Sequence, residues 1–548
     1  MIQLNPTVGD VIGNTRRIIN AINSMDADVI LTPEMSICGY PPRDLLSCSG
    51  FIQACQEAVD SVARECTQKT VLVGHPRFDV ASGTIRNSVS VLQQGTVVAV
   101  CDKQLLPSYD VFDEKRYFTS GETICCFKVG NTKIGIAICE DFWRGLDADA
   151  APTYASNPVQ QLLKEGCAVI LSPSASPFVV GKHLKHVEYA MDLASEHAIT
   201  IAVCNQVGGN DDLVFDGGSF AVSPTGLLAK MPLFAGGALT VATESASIEN
   251  KFASCDDKER FHALVLGVKD YFRKTGHTKA LLGLSGGIDS ALVATLAVAA
   301  LGKDAVTGVL MPSRYSSLGS IEDAEQLALN LGIETVTLPI EHMHAAFDRT
   351  LSDSCLEAEG LAEENAQARI RGLLLMAMAN QNGALLLATG NKSELAVGYS
   401  TLYGDMAGAV SVIGDIYKTD VWAMSNWVNN TYESCGFATS PIPTSSITKQ
   451  PSAELRPDQL DQDSLPEYNV LDAVLRLHID FDMCIDEIEE ELGHEGVFVS
   501  NIIRMVDSAQ FKREQASVLF KTSPRTFGRG RRMPIVMKRN WATSREIT

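Results

Sequence analysis

Short apolar runs alternate with amphipathic stretches through the first half of the chain. Five of these runs are rich in Val, Ile and Leu, and polar residues follow each of them. Apolar runs of this length between helical stretches predict the buried strands of a layered α/β domain. They occupy residues 29–32, 71–74, 134–138, 169–171 and 201–203.

The pattern lapses near residue 241, where Ala, Thr, Ser, Glu and Asn replace the apolar runs. We interpret this polar stretch as a boundary between domains. The expected organisation is a first domain over residues 1–245, a linker over 246–257 and a second domain over 258–548.

Strands and helices alternate again after the expected linker. Apolar runs at residues 280–284, 305–310 and 384–388 predict strands, and residues 263–272 and 291–296 predict helices. This alternation indicates a doubly wound parallel sheet, whose ligands lie at the carboxyl ends of the strands. Residues 441–468 are rich in Pro, Ser, Thr and Asp, so we expect a long loop that orders on a substrate or partner.

The composition is that of a globular enzyme, with 45% hydrophobic and 20% charged residues. We find no apolar run near the roughly 20 residues that a membrane span requires. The first residues show no basic segment followed by an apolar stretch, so we expect a cytoplasmic protein. Fourteen cysteines are scattered without paired CxxC motifs, which predicts reduced, mostly buried thiols rather than disulfides or zinc sites.

A formal net charge of −21 argues against a nucleic-acid-binding surface, which would be basic. Residues 512–539 are basic instead, because this segment contains nine Lys and Arg residues and a single acid, Glu514. Two interpretations stay open for this segment: a local phosphate site and a solvated basic tail.

Three residues of the first domain could together hydrolyse a carboxamide. Such a reaction needs a thiol nucleophile, a base that passes its proton to ammonia, and a positive group for the oxyanion. Cys139, Glu34 and Lys103 could fill these roles in that order, and Lys103 would lower the pKa of the thiol. Taken singly, each has an ordinary structural interpretation: a core thiol, a helix cap or surface acid, and a solvated lysine.

As an ordered trio, these residues resemble the Glu-Lys-Cys triad of the nitrilase (carbon-nitrogen hydrolase) family. The resemblance covers about residues 1–250 and implies a four-layer αββα sandwich. Three further segments resemble the glutaminase domain of glutamine-dependent NAD⁺ synthetases: NPTVGD at 5–10, CGYPPRDLL at 38–46 and FDEKRYF at 112–118.

That resemblance implies that glutamine is held by Tyr109, Ser176 and Lys182. It also matches Glu114 to the second glutamate of the nitrilase family, which steadies the lysine. A plain surface salt bridge stays open as the alternative for Glu114.

The second domain carries LSGGIDS at residues 284–290, between a predicted strand and a predicted helix. Glycines let the backbone approach an anion, the hydroxyls of Ser285 and Ser290 can donate hydrogen bonds, and the helix N-terminus adds its dipole. No lysine follows the glycines, so this is not a Walker A loop. A tight turn without a ligand is the alternative.

This loop resembles the SGGxDS motif of the PP-loop (adenine nucleotide α-hydrolase) ATP pyrophosphatases. The resemblance implies that ATP contacts Gly283, Leu284, Ser285, Gly286, Gly287, Ile288, Asp289, Ser290 and, further along, Thr389. Asp289 is then a Mg²⁺ ligand, because a carboxylate beside phosphate oxygens suits a hard cation.

Four more segments resemble the synthetase domain of the NAD⁺ synthetases across about residues 258–548. They are MPSRYSS at 311–317, ENAQARIRG at 364–372, TGNKSE at 389–394 and DSLP at 463–466. The resemblance implies that Asn365, Glu394 and Lys512 bind deamido-NAD⁺, and it leaves open that Glu394 is a second Mg²⁺ ligand instead.

Together these features predict a ligase that amidates deamido-NAD⁺ with ammonia from L-glutamine, using ATP and Mg²⁺. The resemblance also implies a homo-oligomer, and no nucleic acid or membrane partner is expected. Two alternatives remain: another glutamine-fed, adenylating amidotransferase of the PP-loop class, and a non-catalytic sensor of glutamine or nucleotide. The presence of Glu34, Lys103, Cys139 and Asp289 argues against the sensor.

Overall fold

The structure is a computed structural model and describes residues 1–147, 154–248, 255–494 and 496–538. Its internal contacts divide the chain into two compact units, Met1–Ser254 and Cys255–Thr548. Residues 249–254 of the expected linker lie outside the described residues. Of the helices that the structure describes, none has both the length and the apolar character needed to cross a membrane.

Unit 1 contains five helices and fourteen strands among its described residues, and all five strands predicted for it are present. The helices are α1 (Val11–Ser24), α2 (Ser49–Glu65), α3 (Glu140–Trp143), α4 (Pro158–Lys164) and α5 (Lys182–His197). The strands are β1 (Ile2–Gln3), β2 (Val29–Leu31), β3 (Thr70–Asp79), β4 (Thr84–Gln93), β5 (Thr96–Asp102), β6 (Cys125–Val129), β7 (Thr132–Ile136), β8 (Val169–Ser174), β9 (Thr200–Asn205), β10 (Val207–Asn210), β11 (Leu213–Asp216), β12 (Phe220–Ser223), β13 (Gly226–Lys230) and β14 (Gly237–Ala238).

Two large sheets form the middle of unit 1, in the orders β2-β3-β4-β5 and β13-β12-β9-β8-β7-β6. One apolar core joins α1 and α2 to the four-stranded sheet, through residues such as Ile18, Val59 and Val71. A second core lies between the two sheets and reaches α5. It includes Leu72 of β3 and Val187 of α5. The predicted four-layer αββα sandwich is therefore confirmed.

Unit 2 is built on a six-stranded sheet. Its strands are β15 (Ala280–Gly283), β16 (Val306–Leu310), β17 (Glu334–Thr337), β18 (Leu385–Ala388), β19 (Val410–Ser411) and β20 (Val518–Leu519). Its helices are α6 (Asp256–Thr275), α7 (Ile288–Leu301), α8 (Leu318–Leu331), α9 (Glu341–Ser352), α10 (Leu361–Asn382), α11 (Lys392–Val397), α12 (Lys418–Asn430), α13 (Thr444–Thr448), α14 (Tyr468–Leu475), α15 (Ile485–Leu492), α16 (Gly496–Ser508) and α17 (Gln510–Arg513).

The sheet of unit 2 is parallel throughout and has the order β17-β16-β15-β18-β19-β20. The predicted doubly wound parallel sheet is thus confirmed. Its strand order reverses between β15 and β18, and such a switch point leaves a crevice at the carboxyl ends of the strands. The loop at residues 284–290, hereafter the PP-loop, follows β15 at this crevice.

One glycine of the PP-loop has a steric reason to be glycine. Gly286 has a φ of 76°, and a Cβ atom there would lie 2.1 Å from the carbonyl oxygen of Ser320. No other residue fits this approach without moving the backbone.

Residues 441–468, predicted as a long loop, contain α13 and a 3₁₀ turn at Asp461–Asp463. The segment packs onto the PP-loop and the start of α8. Ser446 Oγ donates to Gly286 O at 3.1 Å, and Glu454 accepts from Ser320 Oγ at 2.6 Å.

Part of the basic segment 512–539 is folded into unit 2, whereas Arg529, Arg532 and Lys538 are exposed. Arg513, Lys521 and Arg531 are all buried. Arg513 donates to the carbonyl oxygens of Leu395 and Ala396, at 3.2 and 2.6 Å, so its charge stabilises the carboxyl end of α11. The final basic residue of the segment, Arg539, lies outside the described residues.

Candidate active sites

A buried ion-pair network lies at the centre of unit 1. Lys103 Nζ is 2.8 Å from Glu34 Oε1 and 2.8 Å from Glu114 Oε1. None of the three side chains is more than 3% exposed. The alternative of a surface salt bridge for Glu114 is therefore wrong, because Glu114 shares the lysine with Glu34 inside the protein.

Cys139 occupies a sharp turn between β7 and α3, next to this network. Its backbone has φ 46° and ψ −100°, a conformation that non-glycine residues rarely adopt and that proteins tend to retain at functional sites. The Ala175 backbone N–H lies against the thiol and also donates to Glu34 Oε2 at 3.2 Å. The structure thus brings Glu34, Lys103 and Cys139 together.

The electrostatics of the thiol differ from the sequence-based expectation. Burial and the Glu34 carboxylate raise the pKa of Cys139 well above its ordinary value, and the opposing effect of Lys103 is too small to reverse this. The resting thiol is therefore protonated, although Lys103 lowers its pKa as expected. A base must take its proton, and Glu34 is the carboxylate that acts most strongly on the thiol.

Burial also sets the proton affinity of the network. It lowers the pKa of Lys103, but Glu114 and Glu34 outweigh it and hold that pKa well above the usual value. Burial raises the pKa of Glu114 to about 7, with Lys103 opposing the shift and Glu34 adding to it. The lysine therefore stays charged, while Glu114 can gain a proton near neutrality.

Hydrogen bonds hold this network in place. Asn87 Nδ2 donates to Glu34 Oε1 at 2.6 Å, and the Tyr40 hydroxyl donates to Glu114 Oε1 at 2.9 Å. Asp141 Oδ1 accepts the backbone N–H groups of the two residues after Lys103, at 3.0 and 2.7 Å. Asp141 thereby ties the loop of Lys103 to the turn of Cys139.

The three residues expected to hold glutamine lie in two groups. The Tyr109 hydroxyl donates to Glu140 Oε2 at 2.9 Å, and Glu140 directly follows Cys139 in the chain. Lys182 Nζ donates to Ser176 Oγ at 2.8 Å, and both side chains line a cavity of about 10 Å³ beside Trp143. That cavity is about the size of one water molecule.

Unit 2 has a larger cavity of about 340 Å³ at the crevice of its sheet. Its walls include Thr389, Glu394 and every residue of 283–290 except Gly286. The PP-loop is braced internally, because Ser285 Oγ is 3.2 Å from Ser290 Oγ and also accepts the Gly287 N–H at 3.2 Å.

Acidic side chains meet one lysine in the wall of this cavity. Lys418 Nζ forms an ion pair with Asp289 and lies 3.6 Å from Glu394 Oε1. Asn391 Nδ2 donates to Asp289 Oδ1 at 3.0 Å. Burial and Asp289 raise the pKa of Glu394 to about 8, and Lys418 only partly offsets them.

These acids suit Mg²⁺ bound together with phosphate. Among the residues that the structure describes, no group of three or more His, Cys, Asp or Glu side chains could hold a metal ion alone. Mg²⁺ in nucleotide sites uses one or two carboxylates and completes its shell with waters and phosphate oxygens. Asp289 and Glu394, which both line this cavity, could supply these carboxylates.

Comparisons with known proteins match both units. The carbon-nitrogen hydrolase family model matches residues 1–250, and the NAD synthase family model matches residues 260–516. A glutamine-dependent NAD(+) synthetase of Synechocystis is 44% identical over 97% of each chain, and one of Thermotoga maritima is 39% identical over 97% of each. The chain belongs to the glutamine-dependent NAD(+) synthetase family.

Solved structures of this family have the same fold. The synthetase of Acinetobacter baumannii, determined in complex with ADP, is 36% identical with a TM-score of 0.76, over 98% of this chain and 97% of that one. The synthetase of Cytophaga hutchinsonii is 20% identical with a TM-score of 0.82 over the same shares, and it supports the fold alone.

Two residues predicted to bind deamido-NAD⁺ lie outside the cavity lining. Asn365 Oδ1 accepts from the Thr401 hydroxyl at 2.7 Å. Lys512 Nζ donates to the carbonyl oxygens of Gly398 and Ser400, each at 2.7 Å. Both support the segment around residues 398–405, part of which forms the cavity wall.

Sequence reasoning missed Lys418, Asn87, Tyr40 and Asp141. Tyr40 lies in the CGYPPRDLL segment, and no local pattern marks Lys418 or Asn87. All three meet their partners only through the fold; Lys418 is 129 residues from Asp289. Asp141 lies only two residues after Cys139, but its role depends on backbone N–H groups 36 and 37 residues away.

Proposed function

We propose that this chain converts deamido-NAD⁺ to NAD⁺, using ATP and ammonia released from L-glutamine. The observation that carries this proposal is that one chain holds both the buried Glu34-Lys103-Cys139 cluster and a PP-loop cavity with adjacent carboxylates. The family relatives support the same reaction, and their match over nearly the full chain disfavours a different carboxylate acceptor.

In unit 1, Glu34 takes the proton of the Cys139 thiol as the sulfur attacks the glutamine amide carbon. The protein groups suit this step because the thiol is protonated at rest and Glu34 is the acid that acts on it most strongly. Lys103, held charged by two carboxylates, stabilises the developing oxyanion. Glu34 returns the proton to departing ammonia, and water then releases glutamate from the thioester.

Tyr109, Ser176 and Lys182 hold glutamine in this proposal. The Ser176 and Lys182 pair offers a hydroxyl and an ammonium group, which suit the α-carboxylate of an amino acid. Tyr109 positions Glu140, whose carboxylate can accept hydrogen bonds from an α-ammonium group.

In unit 2, the carboxylate of deamido-NAD⁺ attacks the α-phosphorus of ATP, and pyrophosphate leaves. The PP-loop N–H groups and hydroxyls hold the phosphates, and Lys418 offsets negative charge beside Asp289. Asp289 and Glu394 would hold Mg²⁺, which stabilises charge on the phosphate oxygens. Ammonia then displaces AMP from the adenylate and gives the amide.

Two further parts of the proposal concern the protein in the cell. All fourteen cysteines are free, which suits a reducing compartment such as the cytoplasm. Helix α10 exposes Leu361, Leu373 and Met376 by 71, 59 and 41%, which suits a homo-oligomer. Light scattering measures the size of that assembly.

The decisive experiment compares two nitrogen donors in a Cys139→Ala variant. We expect this variant to make NAD⁺ from ammonium at the wild-type rate and to make none from glutamine, because only the thioester step needs the thiol. Cys48→Ala, which removes an exposed thiol, should keep both activities. Glutamine-driven synthesis in Cys139→Ala, or no NAD⁺ from either donor in the wild type, contradicts the proposal.

A further inference from the structure

Two cysteine thiols meet between the outer strands of the two large sheets of unit 1. Strand β5 is the outer strand of the four-stranded sheet, and β6 is the outer strand of the six-stranded sheet. Cys101 lies in β5 and belongs to the core between the sheets. Cys125 lies opposite Ile136 in register, and Ile136 belongs to the same core. Residues opposite each other share one face of a sheet, so Cys125 points towards Cys101, and their thiols form a hydrogen bond.

The next residue of β6, Cys126, points to the other face of its sheet. It lies opposite Gly135 in register. A Cβ atom on Gly135 would lie 2.8 Å from a methyl carbon of Leu162 in α4 and 3.2 Å from Cys167 Sγ. Cys126 is therefore on the helix side of the sheet, near Cys167, and it offers a matched comparison for Cys125 on the same strand.

The two thiols of the Cys101–Cys125 pair differ in exposure and in acidity. Cys125 is half-buried, whereas Cys101 is only 3% exposed. The hydrogen bond from Cys101 lowers the pKa of Cys125, and the same bond together with burial raises the pKa of Cys101. A partly exposed thiol of lowered pKa beside a second thiol is the arrangement of redox-sensing pairs, in which the first thiol reacts and the second resolves.

This pair also lies close to Lys103 in the chain. Strand β5 ends directly before Lys103, whose N–H donates to Asn87 O at 2.8 Å and whose carbonyl oxygen accepts the Gly121 N–H at 2.8 Å. A disulfide holds its two sulfurs about 2.05 Å apart, closer than two hydrogen-bonded thiols. Forming one would draw the end of β5 towards β6 and shift Lys103 relative to Cys139. A displacement of about 1 Å in an active site can cost about 100-fold in rate.

We propose that Cys125 and Cys101 are an oxidation site for low-molecular-weight disulfides, and that the disulfide formed between them inactivates the glutaminase. The Cys125 thiolate attacks one sulfur of glutathione disulfide, and one glutathione leaves with the proton that Cys125 released. The Cys101 sulfur then attacks the Cys125 sulfur, and its proton passes to the second glutathione as that leaves. Two protein thiols are thus oxidised while one glutathione disulfide is reduced to two glutathiones. The oxidation is independent of the proposed function, and only its effect on glutamine use rests on it.

The test treats wild type and three variants with glutathione disulfide. Cys101→Ser and Cys125→Ser each remove one member of the pair, and Cys126→Ser is the matched control. NAD⁺ formation is measured with glutamine and with ammonium, before and after reduction by dithiothreitol, and linked peptides are identified by mass spectrometry. In wild type and Cys126→Ser we expect a Cys101–Cys125 link and a loss of glutamine-driven synthesis of about tenfold or more. Ammonium-driven synthesis should be unchanged, and reduction should restore glutamine use.

The variants that lack one thiol of the pair should respond differently. Cys125→Ser should keep its glutamine-driven synthesis under the oxidant, and Cys101→Ser should retain one glutathione on Cys125, because no second thiol displaces it. The absence of a Cys101–Cys125 link in treated wild type overturns the proposal, as does a link that leaves glutamine use unchanged. An equal loss in Cys125→Ser also overturns it, because the loss would then belong to another thiol such as Cys139.

Two further outcomes stay distinguishable. If Cys101→Ser does not fold, Cys125→Ser decides by the same criteria. An untreated wild type that makes no NAD⁺ from either nitrogen donor contradicts the proposed function, whereas the Cys101–Cys125 link is still detected by mass spectrometry.

Discussion

In the buried ion-pair network of unit 1, burial and the neighbouring charges together set the pKa values of Lys103 and Glu114. One lysine faces two carboxylates, so the network carries a net negative charge when both acids are ionised. Burial raises the pKa of Glu114 to about 7. Protonation of Glu114 leaves Lys103 paired with Glu34 alone, and that pairing competes with the role of the lysine at the oxyanion.

We therefore predict that glutamine-driven synthesis declines as the pH falls through about 7. Glu114 is ionised above its pKa and neutral below it, so the lysine loses one of its two partners on acidification. Glutamate release by wild type and Glu114→Gln, measured between pH 5.5 and 9, checks this. The variant should have lower activity and no decline near pH 7; an unchanged decline would assign it to another group, such as Asp141, whose pKa burial also raises to about 7.

A second prediction at this scale concerns Asp141. Its removal in Asp141→Ala leaves two backbone N–H groups without their acceptor, which costs about 1–3 kcal/mol each when buried. We expect a lower thermal midpoint and a loss of glutaminase activity, because the loop of Lys103 loses its anchor. Asp141→Asn keeps one carbonyl oxygen for both donors and should recover most of the stability. Equal effects of the two substitutions would contradict this role.

At the scale of elements, the sequence predicted the features that depend on residues adjacent in the chain. Glu34 and Cys139 each follow an apolar run, and the PP-loop lies between a strand and a helix, so their positions at strand ends could be predicted. The hairpins that join β3, β4 and β5 could not be predicted, although β4 carries Asn87 and β5 ends directly before Lys103. The contacts of Lys418 and the burial of Arg513 could not be predicted for the same physical reason. Their partners come from distant segments of the chain, which local composition does not reveal.

The PP-loop provides the prediction that belongs to this scale. In Gly286→Ala, the new methyl group would meet the Ser320 carbonyl, and the residue would also hold a positive φ. We expect this variant to lose ATP binding, measured by calorimetric titration. Gly276→Ala is the matched control, since Gly276 has a φ of 78° and no atom near its Cβ position. Its cost should be the backbone strain alone, about 1 kcal/mol. ATP binding of wild-type strength in Gly286→Ala would contradict the assignment of the loop.

For the whole molecule, the two reactions lie on two units with separate apolar cores. A ligand of one unit should therefore stabilise that unit in preference to the other. ATP with Mg²⁺ at about 100 times its Kd adds about 2.7 kcal/mol to the state that binds it. For a unit of this size, that raises the thermal midpoint by roughly 5 °C.

We predict two transitions in scanning calorimetry, of which ATP with Mg²⁺ shifts one. The shifted transition belongs to unit 2, so Gly286→Ala should abolish the shift without moving the other transition. Asp141→Ala should lower the midpoint temperature of the other transition, which belongs to unit 1, because its lost hydrogen bonds lie there. A single transition that ATP and both substitutions move together would show that the two cores unfold as one, and the separation of the units would then not extend to their stability.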